Sequence, residues 1–110
     1  MEQLSTTTSD FSLCPHFAKT FEILGKKWNG LIIEVLLNEH EARFKDLACQ
    51  VEKCSDRVLC ERLRELEDEE IIERVLDGGH SSRPAYRLTQ SGLELAPIMD
   101  AVHDWSKKWR

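Results

Sequence analysis

Nowhere in these 110 residues does an apolar run approach the ~18 residues that a membrane-spanning helix requires, so no membrane span and no membrane partner are expected. The first residues, Met1 to Leu13, are rich in Ser and Thr and lack the basic start and apolar stretch of a cleaved leader. The expectation is a cytoplasmic protein. Motifs of catalysis are missing as well, since there is no nucleophile elbow, no phosphate-cradling glycine loop and no H-E-x-x-H pair. Neither an enzyme nor a cofactor is expected. The carboxylates between Glu65 and Glu70 read as a solvated face, because nothing near them marks a water-excluding pocket. Cysteine is scarce too. Four residues (Cys14, Cys49, Cys54, Cys60) are too few for a disulfide scaffold and read as reduced thiols. The spacing Cys49-x4-Cys54-x5-Cys60 has no C-x2-C pair and His40 is distant, so metal ligation is a weak reading and no metal site is assigned.

Positive charge is also short, with 15 Lys and Arg against 20 Asp and Glu and a formal net charge of −5. Net charge hides its distribution. Between Glu65 and Asp77 seven carboxylates stand against Arg74 alone, so the rest of the chain is close to neutral. From Arg43 to Arg64 six basic residues outnumber four acidic ones, which allows a modest basic face.

What is present is enough for one core: hydrophobic residues at 41% and charged residues at 32% are usual for a folded domain of this length. Residues 1–13 are expected to form a loose tail and residues 14–110 a single domain. Pro15 suits a first helical position, and Phe17, Phe21, Leu24 and Trp28 follow at spacings of 4, 3 and 4, one helix face that Gly25 would end. Leu31, Ile32, Val35 and Leu36 outline a second helix stopping near Asn38. The short segment Ala42 to Phe44 leads into a third, marked by Phe44, Leu47 and Val51. Ser55 is an N-cap with Asp56 in the first turn, and the helix it opens carries Leu59, Leu63 and Leu66. Then Ile71 to Leu76 and Ala85 to Leu88 read as a hairpin around a loop of roughly eight residues beginning Asp77-Gly78-Gly79. Thr89 is expected to cap one final helix with Leu95, Ile98, Val102, Trp105 and Trp109 along a packing seam, bent at Pro97. The predicted fold is mainly α with a small β-hairpin wing, an α+β winged helix-turn-helix.

At about 100° per residue, if Leu59 marks the buried direction of the fourth helix, Arg57, Cys60, Glu61 and Arg64 project from roughly the opposite side. A helix anchored by leucines and exposing two arginines can enter a major groove, where Arg forks onto guanine or phosphate. A solvated helix face is the alternative on this evidence alone. The following hairpin shifts the balance, because its tip holds His80, Ser81, Ser82 and Arg83, small, polar and basic residues suited to a backbone or minor groove. Cys14 would stand at the N-cap of the first helix, facing unpaired amides that favour a thiolate, with Lys19 and His16 near enough to help. A buried, inert thiol is the competing reading. Two terminal helices with apolar stripes that include Trp28, Trp105 and Trp109 carry more hydrophobic surface than one small core can cover, so a partner copy is expected.

Cys14-Pro15, Leu24-Gly25-Lys26-Lys27-Trp28 with Leu31-Ile32, and Arg43-Phe44 with Leu47 resemble the first half of the HxlR-type winged helix-turn-helix regulators. Ser55, Leu59, Arg62 to Glu67, Arg74, Pro84 to Thr89, Gly92 and Trp105 continue the resemblance, which covers nearly all of the chain from Cys14 onward. It implies a homodimeric bacterial transcription regulator acting on double-stranded DNA. The helix after Ser55 would read the DNA, and the first and last helices would form the dimer through Phe17, Phe21, Val102, Trp105 and Trp109. Several such proteins resemble sensors of oxidants or electrophiles that use the cysteine before the helix-starting proline, here Cys14. Cys49 or Cys54 could be its resolving partner, within one subunit or across the dimer, with Cys49 placed beside Cys14 as the redox residue. Some positions depart from the pattern: Glu70 replaces a glycine, Cys54 an aliphatic residue and Cys60 a small hydroxyl residue, and Gly30 leaves the second helix with less side chain. The rival functions are a winged-helix protein-interaction module and a metal-responsive regulator without thiol switching.

Overall fold

A computed structural model of the chain describes residues 10–76 and 84–110. Helix α1 (Pro15–Leu24) starts at Pro15, whose missing N–H costs nothing in a first turn. It ends at Gly25, whose amide donates to the Phe21 and Ile23 carbonyls. A Cβ there would lie 2.6 Å from the Phe21 carbonyl oxygen, so the turn closes on a bare backbone. The next three residues bring Trp28 to φ 84°, and its carbonyl begins α2 (Asn29–Glu39). Trp28 therefore does not continue the α1 face as its spacing predicted; it sits half-buried against the core. Asn29 is buried beside it, 1% exposed, and its Nδ2 donates to the Ile23 carbonyl at 2.8 Å. Its Oδ1 has no partner among the described residues, a state that costs about 1–3 kcal/mol.

Strand β1 (Ala42–Arg43) leads directly into α3 (Phe44–Gln50), and a short turn joins α3 to α4 (Asp56–Asp68). Ile32, Ile33 and Leu36 of α2, Leu47 of α3, and Leu59, Leu63 and Leu66 of α4 are buried and form the helical side of the core. Strands β2 (Ile72–Leu76) and β3 (Pro84–Leu88) are the expected hairpin, paired from Ile72 opposite Leu88 to Leu76 opposite Pro84. β3 is the middle strand of an antiparallel sheet of order β1-β3-β2, with Ala42 opposite Tyr86. The hairpin tip, with His80, Ser81, Ser82 and Arg83, lies outside the described residues, as does the tail through residue 9.

Between α4 and β2 the chain makes a Schellman turn. The Ile71 N–H reaches back to the Leu66 carbonyl and the Glu70 N–H to the Glu67 carbonyl, both at 2.9 Å, while Leu66 and Ile71 are buried together. This motif needs a left-handed residue, and Glu70 supplies it at φ 62°. Thr89 Oγ1 and Ser91 Oγ donate to the Glu70 carbonyl at 2.6 and 3.0 Å and hold the turn in place.

The final segment differs from its expectation. Thr89 caps only α5 (Gln90–Leu93), accepting from the Gly92 N–H at 3.3 Å, and a separate helix α6 (Ala96–Trp109) begins after Glu94 and Leu95. Pro97 falls in the first turn of α6, where its N–H would have had no helical acceptor, so it starts a helix instead of bending one. Gly92 is buried against β2 and β3, since a Cβ on it would stand 2.3 Å from the Ile71 carbonyl oxygen.

Candidate nucleic-acid interface and thiol sites

Helix α4 is built to present one face. Ser55 Oγ accepts from the Val58 N–H at 3.2 Å and Asp56 faces the positive end of the helix, so the first turn is capped and charge-matched. With Leu59, Leu63 and Leu66 locked in the core, Arg57, Cys60, Glu61 and Arg64 are all exposed, as their angular positions predicted. Arg57 and Arg64 have no ion-pair partner among the described residues. Arg62 is different. Its side chain is only 17% exposed and its guanidinium is held by Glu65 Oε1 at 2.6 Å, with Glu61 at 3.8 Å. Two of the three arginines on the helix are thus free to meet a phosphate or a base, and the third is structural.

Neighbouring elements extend this surface. Arg43, Phe44, Lys45 and Asp46 at the start of α3 line a groove of about 450 Å³ with Pro84 and Tyr86 of β3. Lys45 and Tyr86 were not singled out by the sequence, because nothing in their spacing shows that β1 pairing folds the start of α3 onto the base of the wing. Burial pushes the Tyr86 phenol up, against an opposing effect of Arg74 and a supporting one of Glu67 and Cys60. Arg83 lies outside the described residues.

All four thiols are free. Cys14 is the N-cap residue of α1 and is exposed, but its sulfur takes up none of the helix amides; its carbonyl receives the Ala18 N–H at 3.0 Å. Lys19 does not serve it either, since its ammonium is paired with Glu69 at 3.2 Å. Cys49 is exposed on α3, and Cys60 is exposed on α4. Cys54 is the core residue its position before the cap implied: buried, with Sγ 3.6 Å from the Ser55 carbonyl, and with its thiol pushed up by burial. Among the described residues no group of three or more His, Cys, Asp and Glu is arranged to hold a metal ion, and no helix is long and apolar enough to cross a membrane.

The terminal helices carry the exposed apolar surface. Neither α1 nor α6 has a buried residue. The Phe17 and Phe21 rings lie 4.9 Å apart on α1, tilted by 52°, Ile98, Val102, Trp105 and Trp109 stand exposed along α6, and Leu31 is exposed on α2. His103 Nε2 lies 2.7 Å from Glu34 Oε2 and ties α6 to α2.

A helix pair with a leucine-anchored, arginine-bearing second helix, followed by an antiparallel hairpin, defines a winged helix-turn-helix domain. The chain belongs to the HxlR-like helix-turn-helix family, whose profile matches residues 23–110. It is 39% identical over 97 residues to YvaP, an uncharacterised HTH-type transcriptional regulator of Bacillus subtilis (strain 168), covering 88% of this chain and 89% of that one. It superposes on the crystal structure of quinone-bound YodB from B. subtilis with a TM-score of 0.76 and 36% identity, covering 88% of this chain and all of that one. The oxidised form of the redox regulator HypR superposes with a TM-score of 0.77 at 28% identity, covering 88% of this chain and 98% of that one. The protein is a transcriptional regulator of this family.

Proposed function

We propose that the protein is a homodimeric DNA-binding regulator whose affinity for its operator is set by oxidation or alkylation of Cys14. The observation that carries the DNA-reading part is the free pair Arg57 and Arg64 on a Ser55-capped helix whose opposite face is locked in the core. Cys60 and Glu61 share that face, and Arg83 is assigned to the wing.

Dimerisation is supported by exposed apolar surface. Neither α1 nor α6 has a buried residue, and Phe17, Phe21, Val102, Trp105 and Trp109 lie bare on them. Packing these helices against a second copy would set the distance between two α4 helices, which must meet half-sites ~34 Å apart.

The thiol reading rests on the exposure of Cys14 at the start of this interface and on what YodB and HypR have been shown to hold, a bound quinone and an oxidised form. With a quinone, the Cys14 sulfur would form a bond to ring carbon and its proton would pass to the ring, leaving a hydroquinone adduct. With diamide, Cys14 and a second thiol such as Cys49 would lose two hydrogens to the N=N bond and form a disulfide. Shifting a dimer from mostly bound to mostly free takes several kcal/mol, which a covalent link supplies and a weak contact does not. Cys14→Ser should fold and bind DNA in a gel-shift assay, yet lose its response to diamide, while peptide mass spectrometry of the parent finds Cys54 unmodified. A variant that responds like the parent would refute Cys14 as the sensor.

A further inference from the structure

We propose that the groove between the start of α3 and the base of the wing binds a small planar aromatic carboxylate. Its volume of about 450 Å³ falls within the ~300–1,000 Å³ of small-ligand sites, and its walls are Phe44, Pro84 and Tyr86 with Arg43, Lys45 and Asp46. Strand pairing builds it. Ala42 and Arg43 of β1 stand opposite Tyr86 and Ala85, which brings the residues that open α3 alongside β3. Phe44 and Tyr86 are half-buried, packed against the core and lining the groove with what remains of each ring.

Charge selects the sign of the ligand. Two cations line the groove against one carboxylate, and that carboxylate is engaged, since Asp46 Oδ2 accepts the Arg43 backbone N–H at 3.2 Å. Lys45 is exposed and has no partner among the described residues. Neighbouring charges of the wing cancel in pairs, Arg74 with Glu67 at 3.0 Å and Arg87 with Glu73 at 2.7 Å. Burial holds the Tyr86 phenol in its protonated form, so that wall adds no negative charge. A backbone phosphate would use the ammonium and leave the two rings and the proline without a partner. A flat ring bearing one anionic group satisfies both, packing against Phe44 and Tyr86 and presenting its carboxylate to Lys45. No cysteine lines the groove, so such binding needs no thiol chemistry and does not rest on the Cys14 reading.

The full ¹⁵N-labelled chain titrated with sodium benzoate tests this, with cyclohexanecarboxylate and inorganic phosphate at matched ionic strength as anions without a planar ring. Saturable shifts are expected at the backbone amides of residues 43–46 and 85–86, with at least tenfold weaker binding of both controls. Lys45→Gln, at an exposed position, is expected to weaken the apparent Kd for benzoate tenfold or more, and Phe44→Leu, which keeps the apolar bulk, to weaken it severalfold with the rest of the spectrum unchanged. Shifts that rise linearly with concentration, that phosphate or cyclohexanecarboxylate reproduces, or that Lys45→Gln leaves unchanged would overturn the site. DNA takes no part in this readout, so its failure leaves the regulator reading untouched.

Discussion

Replacing Glu70 with glycine should stabilise the protein, and the size of the effect follows from the turn it occupies. An L-residue in the left-handed region costs roughly 1–2 kcal/mol, and Glu70 stands there at φ 62° in a position where a Schellman turn ordinarily holds glycine. Against that gain, glycine adds freedom to the unfolded chain, worth about 0.4–1 kcal/mol. The side chain itself is exposed, makes no hydrogen bond or ion pair among the described residues, and adds a carboxylate at the negative end of α4 beside Glu67, Asp68 and Glu69. Removing that charge contributes a few tenths of a kcal/mol more. The net is about 1 kcal/mol, or roughly 4 °C in Tm for a domain of this size. Thermal and urea unfolding of Glu70→Gly, Glu70→Gln and Glu70→Ala separate the contributions. Gln removes the charge and keeps the backbone strain; Ala keeps the strain with a shorter side chain. If Glu70→Gly is no more stable than Glu70→Gln, strain at this turn is not the cause and the reasoning fails.

Alanine at Arg57 or Arg64 should each cost ~1–3 kcal/mol of operator affinity for a base contact, or lower the salt slope by about 1 for a phosphate contact. A double variant with unchanged affinity in a salt titration would show that another face meets DNA. Truncation after Asp100 removes Val102, Trp105 and Trp109 and should yield a monomer or an aggregating protein; light scattering that finds an intact dimer would refute the assigned interface. The Glu65 carboxyl is held below its usual value of 4.5, first by the Lys26 hydrogen bond and also by Arg62, with burial opposing. Because the folded value is the lower one, this stabilisation is present above about pH 4.5 and fades as pH falls through the folded value. Glu65→Gln should therefore lose less Tm than the parent between about pH 5 and about pH 3, and equal losses would show that the ion pair does not contribute.

Helix α4 was legible in the sequence because three independent signals agree there: the Ser55 cap, the charge of Asp56 and the i, i+4, i+7 leucines. Its reading face followed from arithmetic on the same leucines. The departure at Glu70 was also visible, but only the turn geometry shows that the glutamate adopts the conformation of the residue it replaces. Other features left no local trace. Pro97 inside a helix and Pro97 opening a new one look alike, and the choice was made by Gly92 and Thr89 docking α5 onto the sheet. Strand β1 has two residues and exists because Tyr86 and Ala85 pair with it from far along the chain. Trp28 matched a helical spacing by coincidence, since Gly25 ended the helix before it. The ion pairs of Lys19 with Glu69 and Lys26 with Glu65 join residues whose proximity only the packing of α1 on α4 creates.

The break at Glu94 and Leu95 gives α6 the properties of a lever. Its inner end is fixed to the sheet through α5, with Gly92 seated against the Ile71 carbonyl, and its 14 residues extend about 21 Å beyond. A rotation of about 10° at the two linking residues, which must also release the contact of His103 with Glu34 of α2, would carry Trp109 through about 4 Å at that radius. A continuous helix would have to bend its own hydrogen bonds to move as far, whereas here two backbone residues can absorb the turn and leave both helices intact. Amplification of this kind works in either direction, so a tilt imposed on the outer end of α6 arrives at β2, β3 and the base of the wing as a much smaller displacement.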